Sequence, residues 1–300
     1  MLVIEALIPI FVLVLLGYVL AWRQWLPAEA GTALAAITFK VFIPLLLFTA
    51  LARADLRQGL SPLLLLAYFG PALLLFVAVN LLAHRRLKRP TTLGLAASYS
   101  NNVLVGIPLI TVLLGSAALV HLFTILVFHS LILFTAQSLY RDAFSDSGKS
   151  AGWAALLKSL ANPLIIALLL GAAFNLLGLW LPDALWRAAD WLAAAALPCA
   201  LMVLGMSLSR YRLQPSPSIA SVTLVKLLLF PLLVFAAATA VGLSSEARTV
   251  LTIMAACPTG VNVLAFALGH EDTRIIGSVV FLSTLLAAVS LTLWLLGLGF

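Results

Sequence analysis

The chain has 300 residues, 64% of them hydrophobic and only 9% charged, with 17 Lys and Arg against 10 Asp and Glu. A mean hydropathy of +1.18 excludes an ordinary soluble domain, and the chain reads as an all-α polytopic membrane protein. Its net charge of +7 therefore points to basic loops beside a bilayer, not to nucleic acid.

Ten apolar runs of the length a bilayer requires, roughly 17–25 residues, follow one another. They lie at 3–22, 34–52, 62–83, 93–114, 118–139, 160–180, 188–208, 218–241, 248–269 and 275–298. The first lacks a basic leader and a small-residue cleavage site, so a retained helix is expected, not a signal peptide. Lys40, in the second run, lies near one end, where its stem reaches the surface.

The fourth run carries Ser98-Tyr-Ser-Asn-Asn-Val-Leu-Val-Gly-Ile-Pro108 at its centre. Polar side chains there are costly in hydrocarbon unless each finds a partner. Gly106 weakens the helix, and Pro108 removes an N–H and clashes with the carbonyl four residues back. The fifth run holds His121 and His129, whose spacing of eight allows one helical face. They read either as a proton path or as hydrogen-bonded packing residues. A polar connection at 141–159 separates a first half, 1–140, from a second, 160–300. In the eighth run Lys226 stands nine residues after Pro217, about 13 Å into a core of about 30 Å. The ninth run is broken in its turn by Ala256-Cys-Pro-Thr-Gly-Val-Asn262. The two cysteines, Cys199 and Cys257, have no metal-ligand spacing and read as packed thiols.

Basic residues orient the runs. The first, third, fifth, seventh and ninth loops hold 11 of the 17 Lys and Arg; the alternate loops hold Arg53, Arg57, Arg187 and Arg248. Odd loops are then cytoplasmic and both termini lie outside an inner cell membrane. The halves also repeat. An offset of 154 carries Pro9 to Pro163, Gly17 to Gly171 and Pro44 to Pro198, and an offset of 160 carries Pro71 to Pro231 and Asn102 to Asn262. Five spans per copy is an odd number, so the second copy enters from the opposite side. The expected fold is two inverted five-helix repeats whose broken helices 4 and 9 cross near the midplane.

Four stretches carry a resemblance: Pro9-Ile-Phe-Val-Leu-Val-Leu-Leu-Gly-Tyr18, Pro44-Leu-Leu-Leu-Phe48, Ser100-Asn-Asn-Val-Leu-Val-Gly-Ile-Pro-Leu109 and Pro258-Thr-Gly-Val-Asn262. They resemble the auxin efflux carrier family, which includes plant auxin exporters and bacterial malate and malonate permeases; this chain is similar to the bacterial members. The resemblance implies ten helices in a fold similar to sodium–proton antiporters and bile-acid symporters. It also implies a scaffold from helices 1, 2, 6 and 7, an elevator-like transport domain from helices 3–5 and 8–10, a homodimer and an organic-anion substrate. The large cytoplasmic loop of the plant carriers is absent, so loop-based phosphoregulation is not carried over.

At each break, half-helix N-termini offer unpaired N–H groups suited to a carboxylate. Asn101, Asn102, Asn262, Ser100 and Thr259 are the candidate substrate contacts, with interhelical bracing the plainer role; Ser98 is a weaker candidate. Gly106, Pro108, Pro258 and Gly260 hold the backbone open. Lys226 either neutralises helix C-terminal ends, takes the place of a coupling cation, carries protons or snorkels to the surface. His129 is a candidate for proton coupling. No carboxylate stands at the centre of a run, which argues against carboxylate-type cation–proton exchange, and no catalytic, metal or cofactor set emerges. The expected function is secondary transport of small organic anions, in the efflux direction. The alternatives are a sodium-coupled symporter of the same fold and a ligand-binding membrane sensor.

Overall fold

The computed structural model describes residues 2–53, 61–115, 117–144, 163–209, 216–267 and 269–300, without the side chains of 2–7, 28 and 269–272. Most of the expected 141–159 linker, and with it Lys149 and Lys158, lies outside the described residues, as do Arg57, Arg210 and Arg212.

In chain order the α-helices are α1 (Leu2–Trp22), α2 (Ala28–Ile37), α3 (Ile43–Ala52), α4 (Pro62–Leu87), α5 (Leu93–Ser98), α6 (Ile107–Leu114), α7 (Leu119–Ala143), α8 (Pro163–Leu176), α9 (Asp183–Ala194), α10 (Ala196–Leu208), α11 (Pro217–Leu224), α12 (Phe230–Ala240), α13 (Ser245–Ala256) and α14 (Gly269–Gly297). Three wide π turns, Thr38–Phe42, Asn102–Gly106 and Val225–Leu229, join α2 to α3, lead into α6 and join α11 to α12. A 3-10 turn spans Val261–Phe266.

The π turns share one cause. Each ends two residues before a proline, at Pro44, Pro108 and Pro231. A proline ring cannot lie against the carbonyl four residues back, and widening the turn moves that carbonyl aside. The residue before each proline then donates across five positions: Ile43 to Thr38, Ile107 to Asn102 and Phe230 to Val225.

Among the described residues, six helices are long and apolar enough to cross a membrane: 29–52, 62–87, 119–143, 183–208, 217–240 and 273–297. They coincide with the second, third, fifth, seventh, eighth and tenth apolar runs. Shorter apolar helices cover 8–22, 102–114 and 163–176. Their outward faces are apolar as well: Leu15, Leu74 and Leu293 are each about 60% exposed. So wide an apolar surface is built for lipid.

α1 lies along α10, and α3 along α8 and α9, whereas α4 packs on α5 and α12, and α12 on α13. Glycines set two close crossings. A Cβ at Gly17 would strike the backbone of Met202, and one at Gly205 the backbone of Val14 and Tyr18. A Cβ at Gly171 would meet the Phe48 carbonyl and Leu51. Small residues let membrane helices approach this closely. The offset of 154 carries Gly17 to Gly171 and Phe48 to Met202, so it converts one crossing into the other. At the outer edge of α3, Arg53 holds Asp190 of α9 through two bonds of 2.9 and 3.0 Å and lies over the Trp186 ring.

Candidate functional site

The two interrupted segments meet backbone to backbone. After α5 the chain is extended at Tyr99, and after α13 it is extended from Cys257 to Gly260. Ser100 and Thr259 form an antiparallel bridge, the one β contact among the described residues. The Asn101 N–H donates to the Pro258 carbonyl at 2.8 Å, and the Gly260 N–H to the Tyr99 carbonyl at 3.0 Å. Groups freed by two helix breaks thereby satisfy each other, which an apolar surrounding demands. Pro258 suits this place because it accepts while leaving no amide of its own unpaired. Gly260 is required by space: a Cβ there would press into the Tyr99 ring. Gly106 is not so confined, because a Cβ would sit in ordinary contact with Asn102 and the Cys257 sulfur.

Each expected contact residue now has a position. Thr259 is fully buried, with its hydroxyl on the Ala96 carbonyl at 2.8 Å and its N–H on the Ser283 hydroxyl at 3.1 Å. Both contacts brace the crossing. Ser98 bonds back to Gly94 of its own helix at 2.9 Å. Asn101 caps the following turn through Leu104 N–H at 3.4 Å, leaving its Nδ2 without a partner among the described residues. Asn102 is 1% exposed and donates to the Tyr68 hydroxyl at 3.2 Å, while its Oδ1 has no partner among the described residues. Ser100 is buried beside Tyr68. Asn262 differs from Asn102: it is exposed, on the 3-10 turn, near the Tyr99 hydroxyl. A small cavity of about 20 Å³, lined in part by Tyr99, Asn101, Asn102, His129, Gly260 and Asn262, lies between the breaks. It has room for about one water.

Lys226 lies in the third π turn and is fully buried. Its Nζ donates to the carbonyls of Ala255 and Cys257, both at 2.6 Å, and stands 5.0 Å from the Phe230 ring. Those carbonyls end α13, where the break removes their helical donors and the helix dipole is negative. The Lys226 amine is thus held inside the crossing and is not a surface group. Lys40, by contrast, is exposed.

The two histidines have separate surroundings. His129 Nε2 is 3.4 Å from the Tyr68 hydroxyl, and its ring stacks 4.3 Å from Tyr99. His121 lies 3.4 Å from a Glu246 carboxylate oxygen, about 12 Å away along α7 at the usual helical rise. Cys199 and Cys257 are free thiols.

Sequence reading missed Tyr68, which bonds Asn102 and His129 together from α4. The signal was a tyrosine alone in the middle of an apolar run. It also missed the clamp at the start of α5. There Asn80 Oδ1 accepts from the Thr91 hydroxyl at 3.1 Å and from Gly94 N–H at 3.0 Å, and Gln137 donates to the Thr91 carbonyl at 3.0 Å.

Comparison with known proteins bears on what such a crossing does. The family model described as Membrane transport protein matches residues 2–150 and 149–295. A protein of Methanothermobacter thermautotrophicus named "Uncharacterized transporter" is 31% identical over 303 residues, covering 97% of this chain and 96% of its own. A protein of Rhizobium meliloti named "Putative malonate transporter" is 29% identical over 274 residues, covering 88% of this chain and 85% of its own.

Proposed function

The chain belongs to the membrane transport protein family, and on that premise we propose that it is a secondary carrier of small carboxylates, exporting them by elevator-like alternating access around the crossed breaks. The observation that carries this reading is the buried Asn101 Nδ2 between two half-helices, an amide donor without a partner among the described residues that a carboxylate oxygen can accept from. Buried polar atoms without partners are costly, and a ligand that supplies the missing hydrogen bonds recovers that cost. The first amides after Asn101 and Gly260 add partial positive charge toward the same place. The name of the Rhizobium relative points to a dicarboxylate such as malonate. At about 20 Å³ the cavity is too small for one, so this conformation is closed over the site.

The fold proposed with this function has ten spans in two inverted five-helix repeats, 1–140 and 160–300, with both termini outside an inner membrane. The exchange of the Gly17–Met202 and Gly171–Phe48 crossings under one offset supports it. Separate packing of α1, α3, α8, α9 and α10 from α4, α5, α12 and α13 supports a scaffold of helices 1, 2, 6 and 7 beside a transport domain. Two copies would join through the scaffold as a homodimer.

Lys226 bears on the sodium-coupled alternative. Its ammonium takes two carbonyls that a coupling cation would otherwise use, so the proposed carrier does not need sodium there. The test is counterflow in proteoliposomes loaded with unlabelled malonate, following accumulation of labelled malonate in sodium and in choline buffers. Accumulation is expected equally in both. Asn101→Ala is expected to reduce it tenfold or more, the loss of about 1.4 kcal/mol of binding. Strict sodium dependence would favour the symporter, and no exchange by a protein that malonate nevertheless stabilises would favour the sensor.

A further inference from the structure

A second cavity, of about 340 Å³, lies away from the crossing, between the end of α4 and the start of α11. Its apolar lining includes Val79 and Leu82 on one side and Val222 and Val225 on the other. Its polar lining is Arg86, in the last turn of α4, with Ser218 and Ser221 in the first turns of α11. All three are exposed, and among the described residues no carboxylate lines the cavity. Around Arg86 the chain runs His84-Arg85-Arg86-Leu87-Lys88-Arg89, so the local field is positive.

An apolar trough with one cationic, hydroxyl-bearing end has the shape and charge of a phospholipid slot. Hydrocarbon alone would accept a chain of any lipid, but Arg86 favours a negatively charged headgroup, whose phosphate takes strong charge-assisted hydrogen bonds from a guanidinium. We propose that this groove binds an anionic phospholipid, with its phosphate on Arg86 and the two serines and an acyl chain against Leu82 and Val222. The bound lipid spans elements that lead into the crossing. Leu93, which opens α5, lines the groove, and Val225 is the residue before Lys226. The lipid therefore ties α4, which carries Tyr68 to the crossing, to α11, which leads to Lys226.

Native mass spectrometry of the whole protein in detergent tests this, with phosphatidylglycerol and phosphatidylcholine supplied in equal amounts. Phosphatidylglycerol adducts are expected to exceed phosphatidylcholine adducts by about fivefold, the discrimination typical of one basic residue at an anionic headgroup. Arg86→Gln is expected to bring that ratio close to one, and Leu82→Gln to cut lipid retention of both kinds. Arg85→Gln, which removes a charge from the same turn outside the groove, should leave the ratio unchanged. Equal retention of the two lipids overturns the proposal. So does an equal loss in Arg85→Gln and Arg86→Gln, which would mean diffuse surface charge. A third overturning result is inorganic phosphate stabilising the protein through Arg86 when phosphatidylglycerol does not, which would assign the groove to a free phosphate.

Discussion

Lys226→Met is expected to abolish malonate counterflow and to lower the melting temperature in detergent by about 4 °C or more. Methionine keeps most of the volume and loses the ammonium. The Ala255 and Cys257 carbonyls then face a buried, apolar place with no donor, at about 1–3 kcal/mol each. For a chain of this size each kcal/mol corresponds to about 2–4 °C. Replacing a buried ion pair with apolar residues is often harmless because both charges leave together. Here only the cation leaves, and two acceptors at the negative end of α13 remain. Thermal unfolding and counterflow on the same preparation separate the effects. A variant that melts lower but transports at the wild-type rate would make Lys226 a brace for the crossing and nothing more.

Gly205→Ala is expected to have the largest effect on the fold itself. The added Cβ would enter the backbone of α1 at Val14 and Tyr18, and backbone cannot rotate out of the way as a side chain can. Separating α1 from α10 sacrifices the whole crossing, a loss of about 3 kcal/mol or more. Gly17→Ala, which meets Met202 on the same crossing, should behave alike. Gly297→Ala is the comparator, since its Cβ, at the end of α14, would meet nothing within 4 Å. It should hold or slightly raise stability, as alanine favours helix over glycine. Monodisperse yield on size exclusion and the melting temperature report the contrast. Equal behaviour of Gly297→Ala and Gly205→Ala would mean that the crossing tolerates separation.

Much of the site was legible because polar residues and prolines stand out against an apolar background. The stretches 98–108 and 256–262 could be marked as helix breaks from composition alone, and the structure brings them together through Ser100 and Thr259. The repeat offsets rested on glycine, proline and asparagine, and those glycines also set helix crossings while prolines shape the π turns. Other features depend on tertiary contacts that periodicity does not carry. Tyr68 meets Asn102 across 34 positions, and nothing near Tyr68 in the chain announces it. Lys226 admitted four readings because its partners lie 29 and 31 positions away. The offset that pairs Asn102 with Asn262 did not foresee their different settings, one buried and one exposed. Asn102 enters a π turn packed on α4, whereas Asn262 enters a short 3-10 turn at the edge of the cavity. The π turns themselves were legible only as prolines.

The most direct test of the crossing as the substrate site is protection of a cysteine placed there. Asn262→Cys, in a Cys199→Ser background, puts a thiol at an exposed position lining the cavity, while Cys257 stays buried. Its alkylation rate in proteoliposomes would be followed as malonate is raised, with a neutral malonate diester as control. The expected result is that malonate slows labelling over the range that drives counterflow and that the diester does not. Labelling unchanged by malonate, in a variant that still exchanges it, would place the anion elsewhere and contradict the crossing as its site.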